Sequence, residues 1–150
     1  MGAPVFAFAP ASASDLEALT ELRLTVMAES FNRIGRFNPE RARAWFADTY
    51  RPETTRLIVV GEETAGCVAF YESAPGVLKL EHFYLQPHWQ GRGLGTAVLD
   101  ILLAEADAAG AAVRLTVLRE SDAKRLYDRR GFVVTGQDDL DVYMARSPAA

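Results

Sequence analysis

A glycine-rich turn between a strand and a helix constrains this 150-residue chain more than any other feature. Val77–Gln86 is rich in the aromatic, β-branched and aliphatic residues typical of a strand, and Pro87 ends that run. Three glycines follow within Gln90–Gly95, and Thr96–Ala109 then continues as a helix. The helical spacing is carried by Leu94, Val98, Ile101 and Leu102. Because glycines let backbone amides approach a ligand and a helix N-terminus attracts anions, the stretch predicts a phosphate-binding turn.

Two common nucleotide motifs do not fit this turn. A Walker motif requires Lys and then Ser or Thr after its last glycine, whereas Thr96 and Ala97 follow Gly95. The dinucleotide fingerprint requires G-x-G-x-x-G, whereas the sequence here reads G-x-G-x-G. Neither a lysine nor an acidic residue follows at the offset that such motifs need. A nucleotide-phosphate module is therefore disfavoured.

Composition indicates one globular domain over residues 1–150, with 49% hydrophobic and 24% charged residues. The net charge of -4 argues against nucleic-acid binding, which depends on a basic surface. A single cysteine excludes an internal disulfide and gives no cysteine metal cluster. Cys67 lies in an apolar run, which favours a buried structural thiol over a nucleophile. No signal peptide or membrane span is recognised, so the cytoplasm is the expected location.

Periodicity and turn residues give the element order β-α-α-β-β-β-α-β-α-β-β, an α/β domain with a mixed central sheet covered by helices. Ser14 and Glu17 form a predicted capping box for a first helix that runs to about Ser30. The stretch 31–37 is expected to be a loop, and Asn38 and Pro39 begin a second helix. The predicted buried stripe of that helix comprises Ala42, Trp45, Phe46 and Thr49.

The predicted strands surround these helices. They are expected around residues 5–10, at Leu57–Val60, Gly66–Tyr71, Val77–Gln86 and Val113–Leu118, and in a closing hairpin of Phe132–Val134 with Leu140–Met144. The strand Val113–Leu118 is expected to run parallel to the one before it, because a helical crossover connects them. Ser121 is the predicted cap of a short helix after it.

The spacing Gln90-x-x-Gly93-x-Gly95 resembles the pyrophosphate-binding signature of the GNAT superfamily of acyl-CoA-dependent N-acyltransferases. A second stretch, SDAKRLYDRRGF over residues 121–132, is similar to the C-terminal half of that fold. Tyr127 and the following Gly131-Phe132 match the family spacing, whereas Ser121 or Glu120 stands in place of the usual Asn. The resemblance covers roughly residues 57–145. It implies a GNAT-like mixed central β-sheet flanked by helices.

The resemblance further implies an N-acetyltransferase that uses acetyl-CoA as cosubstrate, without a metal, and transfers the acetyl group to a primary amine by direct attack. The main chain and side chains expected to bind CoA are Phe83, Tyr84, Leu85, Gln90, Gly91, Arg92, Gly93, Leu94, Gly95, Thr96, Ser121 and Tyr127. Tyr127 matches the family tyrosine beside the CoA sulfur and is the expected general acid. Backbone N–H groups of Phe83–Leu85 are the expected donors to the oxyanion.

Direct attack requires a neutral amine, and deprotonating a group of pKa about 10.4 at pH 7 costs roughly 4–5 kcal/mol. Glu81 is the favoured general base, because members of the family place a base, usually Glu, on this strand. His82 is the alternative, and a base from elsewhere or none at all also stays open. Since successive side chains of a strand point to opposite faces, at most one of the two is expected to face the acceptor.

The acceptor is a small-molecule or peptide amine whose identity the sequence does not reveal. In this fold the first two helices and the loop between them usually border the acceptor. The expected contacts are therefore Glu29, Phe31, Arg33 and Arg36. Glu29 could pair with a cationic amine, and the two arginines could receive a carboxylate or phosphate. The last hairpin leaves homodimerisation open because it could present an edge strand. The rival function is a non-catalytic acyl-CoA-binding regulatory domain, which would retain the glycine turn but lack a competent base.

Overall fold

A computed structural model describes residues 2–33, 35, 38–119 and 121–149 of the chain. The helices and strands of that part follow the predicted order without exception. They are β1 (Ala7–Pro10), α1 (Leu16–Arg33), α2 (Pro39–Thr49), β2 (Thr55–Val60), β3 (Glu63–Ala74), β4 (Val77–Leu85), α3 (Leu94–Ala108), β5 (Ala112–Leu118), α4 (Ala123–Arg129), β6 (Val133–Gln137) and β7 (Asp141–Arg146).

The strands form one seven-stranded mixed sheet in the order β1-β2-β3-β4-β5-β7-β6, with helices flanking it. β4 and β5 are parallel, as the crossover predicts, whereas β1 with β2, β2 with β3, β5 with β7 and β6 with β7 are antiparallel. β7 lies between β5 and β6, so the closing hairpin places β6 at one edge of the sheet. The predicted fold class is therefore confirmed.

The chain divides into two compact units. The first comprises Met1–Ala69 and His82–Gly95, and the second comprises Phe70–Glu81 and Thr96–Ala150. The first unit contains α1, α2 and the glycine turn, whereas the second contains β5–β7, α4 and most of α3. The expectation of a single domain stays a prediction.

The start of the first helix differs from its sequence prediction. Ser12, and not Ser14, is the cap: the Ser12 N–H donates to the Asp15 carboxylate over 2.8 Å, and a short 3₁₀ turn precedes α1. α1 begins at Leu16 and runs through Arg33, so the predicted loop is wrong for residues 31–33. The cap of α2 is as predicted, because the Asn38 side chain accepts the Arg41 N–H over 3.1 Å.

The first unit has its own hydrophobic core between α1, α2, β3 and β4. Its buried members are Leu19, Leu22, Phe46, Tyr50, Cys67 and Tyr84. Phe46 is the buried residue of α2, but Trp45 is 45% exposed, and Ala42 and Thr49 are half-buried. The predicted buried stripe is thus correct for Phe46 and wrong for Trp45.

Cys67 is fully buried in this core, as the sequence predicts for a structural thiol. Its Sγ donates to the His82 carbonyl over 3.3 Å, and burial raises the pKa of the thiol to about 12. At pH 8 only about one molecule in 10⁴ carries the thiolate that attacks a disulfide reagent. We expect no reaction of the native protein with an aromatic disulfide reagent while urea-unfolded protein reacts completely. Stoichiometric labelling of the native chain would contradict this burial.

The second unit buries one face of α3. The buried residues of that face are Val98, Leu99, Leu102, Leu103 and Ala106. Of the helical stripe predicted from the sequence, Leu94, Val98 and Leu102 are fully buried and only Ile101 is exposed, at 45%. A half-buried ion pair between Asp107 and Arg146, 2.9 Å apart, joins α3 to β7 in this unit. None of the helices in the described part of the chain is long and apolar enough to span a membrane.

Candidate functional site

The glycine turn has the backbone conformation of an anion site. Pro87–Trp89 forms a 3₁₀ turn after β4, and α3 begins at Leu94, two residues earlier than predicted. Gly91 and Gly93 have φ angles of +71° and +83°, which residues other than glycine rarely adopt. A Cβ at Gly91 would meet nothing within 4 Å, so conformation and not crowding requires glycine there. The turn therefore leads the chain into a helix whose first N–H groups have no partners within the helix.

Side chains tie this turn to the end of β4. Gln90 donates from Nε2 to the Leu85 carbonyl over 3.0 Å. Arg92 donates to the His88 carbonyl over 3.3 Å, and its guanidinium lies 4.5 Å from the centre of the Trp89 ring. The indole N–H of Trp89 is buried and has no acceptor among the described residues, and a bound ligand or water commonly supplies the acceptor for such a group. Arg92 itself is exposed, as expected for a residue that adds charge to the turn.

β4 is distorted at His82, in the first unit. His82 has a φ angle of +50°, which is unusual for a residue with a side chain and marks an irregular strand. Beside it, Gly66 of β3 lies so close to β4 that a Cβ would be 2.1 Å from the Tyr84 carbonyl oxygen. Along β4 the side chains of Leu80, His82 and Tyr84 are buried and those between them are half-buried. Burial therefore alternates along this part of β4, and the prediction that Glu81 and His82 point to opposite faces stays a prediction.

The His82 ring belongs to a chain of buried polar contacts in the first unit. The Thr49 hydroxyl donates to the Trp45 carbonyl over 2.8 Å, so its oxygen can accept the Nε2–H of His82, 3.1 Å away. In that tautomer Nδ1 accepts from the Tyr84 hydroxyl at 3.3 Å. The Tyr84 oxygen in turn accepts the Nε–H of Arg23 over 3.1 Å. The network links α1, α2 and β4.

Arg23 is the charged member of this network and is 6% exposed. Its guanidinium carbon lies 4.4 Å from the centre of the Trp45 ring and 5.6 Å from that of Phe31, both cation–π distances. Among the residues that the structure describes, no carboxylate pairs with it. Sequence reasoning did not identify this residue. The sequence feature that could have identified Arg23 is the presence of a charged residue between Leu22 and Leu24 on the apolar face of α1.

The second unit holds the favoured base. The Glu81 carboxylate accepts the Tyr71 hydroxyl over 2.9 Å and lies 3.5 Å from the Lys79 ammonium. Its side chain is half-buried. These contacts fix a carboxylate on β4 beside a cation.

Tyr127 and Ser121 also lie in the second unit. Tyr127 is 6% exposed on α4, and its ring meets Phe132 edge-on with centroids 5.4 Å apart. The Ser121 hydroxyl accepts the Ala123 N–H over 3.1 Å and therefore caps the start of α4 as predicted. The Ser121 side chain thus has a structural partner within α4. Its predicted contact with CoA stays a prediction.

The predicted acceptor residues that the structure describes lie on α1, in the first unit, and their role toward an acceptor stays a prediction. Glu29 and Arg33 lie on α1, 3.9 Å apart and both largely exposed, as an i,i+4 pair. Phe31 is half-buried and contributes its ring to the Arg23 site. Arg36 lies outside the described residues. In the part of the chain that is described, no group of His, Cys, Asp and Glu side chains could hold a metal ion.

Comparison with protein families identifies residues 27–141, more than half of the chain, as an acetyltransferase (GNAT) domain. The chain belongs to the GNAT family. Its fold matches a PaiA N-acetyltransferase from Thermoplasma acidophilum, solved with coenzyme A, at 20% identity and a TM-score of 0.77 over 95% of this chain and 99% of that one. A GNAT acetyltransferase from Staphylococcus aureus matches at 14% identity and a TM-score of 0.73, over 97% and 100% of the two chains.

N-acetylglutamate synthase from Neisseria gonorrhoeae, solved with coenzyme A and N-acetyl-glutamate, matches at 13% identity and a TM-score of 0.70. That match covers 97% of this chain and 36% of the synthase. The search of curated proteins gives no match. At these identities the solved structures establish the fold alone, and the family model identifies the chain as a GNAT acetyltransferase domain.

Proposed function

We propose that the chain is an N-acetyltransferase that transfers the acetyl group of acetyl-CoA to a primary amine by direct attack. The observation that carries the proposal is the pair of left-handed glycines, Gly91 and Gly93, directly before α3 in a GNAT domain. A turn of this kind directs main-chain amides and the helix dipole at a pyrophosphate. The PaiA enzyme of the same fold was solved with coenzyme A.

The residues of this turn fit the pyrophosphate of CoA. The Gln90 N–H donates to the Pro87 carbonyl over 3.1 Å, so the main-chain N–H groups of residues 91–96 are the proposed donors, and the exposed Arg92 guanidinium adds a positive charge. Space is open around Gly91, where even a Cβ would meet nothing within 4 Å. Bound acetyl-CoA supplies the acetyl thioester that the amine attacks. The remaining chemistry then depends on residues of this chain.

Three roles complete the proposed mechanism. Glu81 accepts the proton of the acceptor ammonium, directly or through water, with His82 as the alternative base. The only acceptor nitrogen of the neutral His82 ring is engaged by the Tyr84 hydroxyl, whereas the two oxygens of the Glu81 carboxylate can accept more than the one hydrogen bond from Tyr71, which favours Glu81. Backbone N–H groups of Phe83–Leu85 stabilise the charge that develops on the acetyl oxygen. Tyr127 gives a proton to the leaving thiolate, whose conjugate acid has a pKa of about 8.5, and regains one from the second proton that the nitrogen releases as the amide forms.

The test is an acceptor screen that follows release of the CoA thiol, preceded by titrations of acetyl-CoA, ATP and NAD. We expect saturable binding of acetyl-CoA alone and turnover with at least one amine. Tyr127→Phe and Glu81→Gln should each lower kcat by roughly 10²-fold, because each removes a proton transfer. Acetyl-CoA affinity should change far less than kcat, since Tyr127→Phe keeps the ring beside the CoA sulfur and Glu81 is not a proposed CoA contact. Tyr143→Phe, at a tyrosine on β7 that the mechanism does not use, is the matched control.

Two outcomes would overturn the mechanism. Binding of acetyl-CoA without turnover of any amine would favour the non-catalytic acyl-CoA-binding domain. Full activity of Tyr127→Phe would remove that residue from the mechanism. Failure to bind acetyl-CoA would refute the function as a whole.

A further inference from the structure

We propose that Arg23 is the anchor for a carboxylate of the acceptor, so that the enzyme acetylates an amine that also carries a carboxylate, such as an α-amino acid. The inference rests on the proposed function and names its substrate class. It replaces Arg33 and Arg36 as the carboxylate receptors expected from the sequence.

The first argument is an incomplete set of hydrogen bonds. A guanidinium has five N–H donors in a planar fork, and the Nε–H of Arg23 is used by Tyr84. The two terminal nitrogens have no acceptor among the residues that the structure describes. The groups around them are the rings of Trp45 and Phe31. A carboxylate fits such a fork with two parallel hydrogen bonds.

The second argument is the charge of the site. Arginine is almost never buried to this extent unless it is paired, because removal of a charge from water is costly. Two cation–π contacts and one hydrogen bond to a neutral hydroxyl offset part of that cost and leave the charge itself unneutralised. The basic residue next along α1, Arg33, already faces Glu29. A ligand with a single negative charge therefore matches the site better than a phosphate, which carries more charge and more acceptor oxygens.

The third argument is access. Trp45, whose ring covers the guanidinium at 4.4 Å, is 45% exposed, although tryptophan is usually well buried. A large exposed aromatic ring is typical of a binding surface, and here it lies beside a buried cation that has no carboxylate partner in the described part of the chain. The exposed side of Trp45 thus gives a small ligand a route to the guanidinium.

The fourth argument concerns the position of the amine. Arg23 Nε and His82 Nδ1 lie 3.1 and 3.3 Å from the same Tyr84 hydroxyl oxygen, so the two side chains are close neighbours. Tyr84 also belongs to the β4 segment whose backbone the proposed mechanism assigns to the acetyl oxygen. A carboxylate held by Arg23 keeps the rest of a small amino acid near this segment.

The test uses matched acceptors on the wild-type enzyme, which needs no variant to fold. For each amino acid in the screen, the free acid is compared with its carboxamide, with the amine that lacks the carboxylate, and with the aminophosphonate. We expect kcat/KM for the free acid to exceed that for the carboxamide by about 100-fold, because two charge-assisted hydrogen bonds are lost. Equal rates for acid and amide, or a preference for the phosphonate, would refute the anchor while leaving the acetyltransferase proposal intact.

The variants Arg23→Gln and Arg23→Lys test the residue itself. Both should raise KM for the acid by roughly 100-fold with little change in KM for acetyl-CoA and should remove the preference for acid over amide. Arg43→Gln is the matched control, because Arg43 is an exposed arginine on α2 that pairs with Glu21 of α1. If Arg23→Gln lowers the rates with acid and amide equally, the residue is structural and the anchor is refuted. If no amine of any kind releases CoA thiol, the proposed function fails together with the anchor.

Discussion

Replacement of Gly66 by alanine is expected to destabilise the protein by about 2 kcal/mol and to weaken acetyl-CoA binding with it. The added Cβ would lie 2.1 Å from the Tyr84 carbonyl oxygen and 3.1 Å from the Leu85 Cα, so β4 backbone must move. Overpacking of this kind costs roughly 1–3 kcal/mol or more, and the lower chain entropy of alanine in the unfolded state offsets only about 0.4–1 kcal/mol.

The loss of affinity follows from what the displaced backbone holds. The Leu85 carbonyl accepts the Gln90 side chain over 3.0 Å and so fixes the glycine turn to the end of β4. The same segment contains the proposed donors to the acetyl oxygen. Urea unfolding measures the stability, and titration with acetyl-CoA measures the affinity.

Gly136→Ala is the matched control for Gly66→Ala. Gly136 also lies in a strand, without a positive φ, and its added Cβ would meet Tyr143 at an ordinary 3.6 Å. We expect the control to stay within about 0.5 kcal/mol of the wild type, as most surface substitutions do. If the two variants unfold at the same urea concentration, close approach to β4 is not the reason that position 66 is glycine.

The element order could be predicted from the sequence because the signals are local. Leu16–Arg33 and Leu94–Ala108 have helical periodicity, and glycines or prolines separate the strands. The two family-like stretches have fixed spacings that identify the fold without knowledge of any tertiary contact. The boundaries of the elements were predicted less accurately. At the start of the first helix, Ser14 was the predicted cap, but Ser12, which has Asp15 three positions later, is the cap in the structure.

The buried network could not be predicted, since its contacts join residues far apart in the sequence. Arg23 and Tyr84 are 61 positions apart, and Thr49 and His82 are 33 apart. Helical spacing placed Trp45 in the buried stripe of α2 together with Phe46. In the structure its ring instead covers the Arg23 guanidinium and remains 45% exposed. The φ angle of +50° at His82 could not be predicted either, because histidine is enriched among the few non-glycine residues with positive φ but adopts a negative φ at most positions.

Replacement of Phe46 by alanine is expected to have the largest effect on stability, a loss of about 3–5 kcal/mol. Its ring is completely buried, stacks on Tyr50 with centroids 5.5 Å apart, and meets the His82 ring edge-on at 4.8 Å. The free energy of unfolding of a single domain is only about 5–15 kcal/mol. Urea should therefore unfold this variant at a far lower concentration than it unfolds the wild type. Phe46→Leu, which keeps most of the volume, should lose less than about 1.5 kcal/mol.

The Phe46→Ala variant also tests why His82 can keep its unusual backbone. A left-handed φ at a residue with a side chain costs roughly 1–3 kcal/mol and persists only where surrounding contacts determine the conformation. Phe46 forms one wall of the His82 ring, and the hydrogen bonds to Thr49 and Tyr84 fix its two nitrogens. Nitrogen NMR of the two histidine rings should find His82 in the Nε2–H form in the wild type and exchanging between tautomers in Phe46→Ala. The exposed His88, which pairs with Glu63, should be unchanged. If His82 keeps a single tautomer in Phe46→Ala, contact with the Phe46 ring is not needed to hold the His82 side chain. The hydrogen bonds to Thr49 and Tyr84 alone would then hold the distortion of β4.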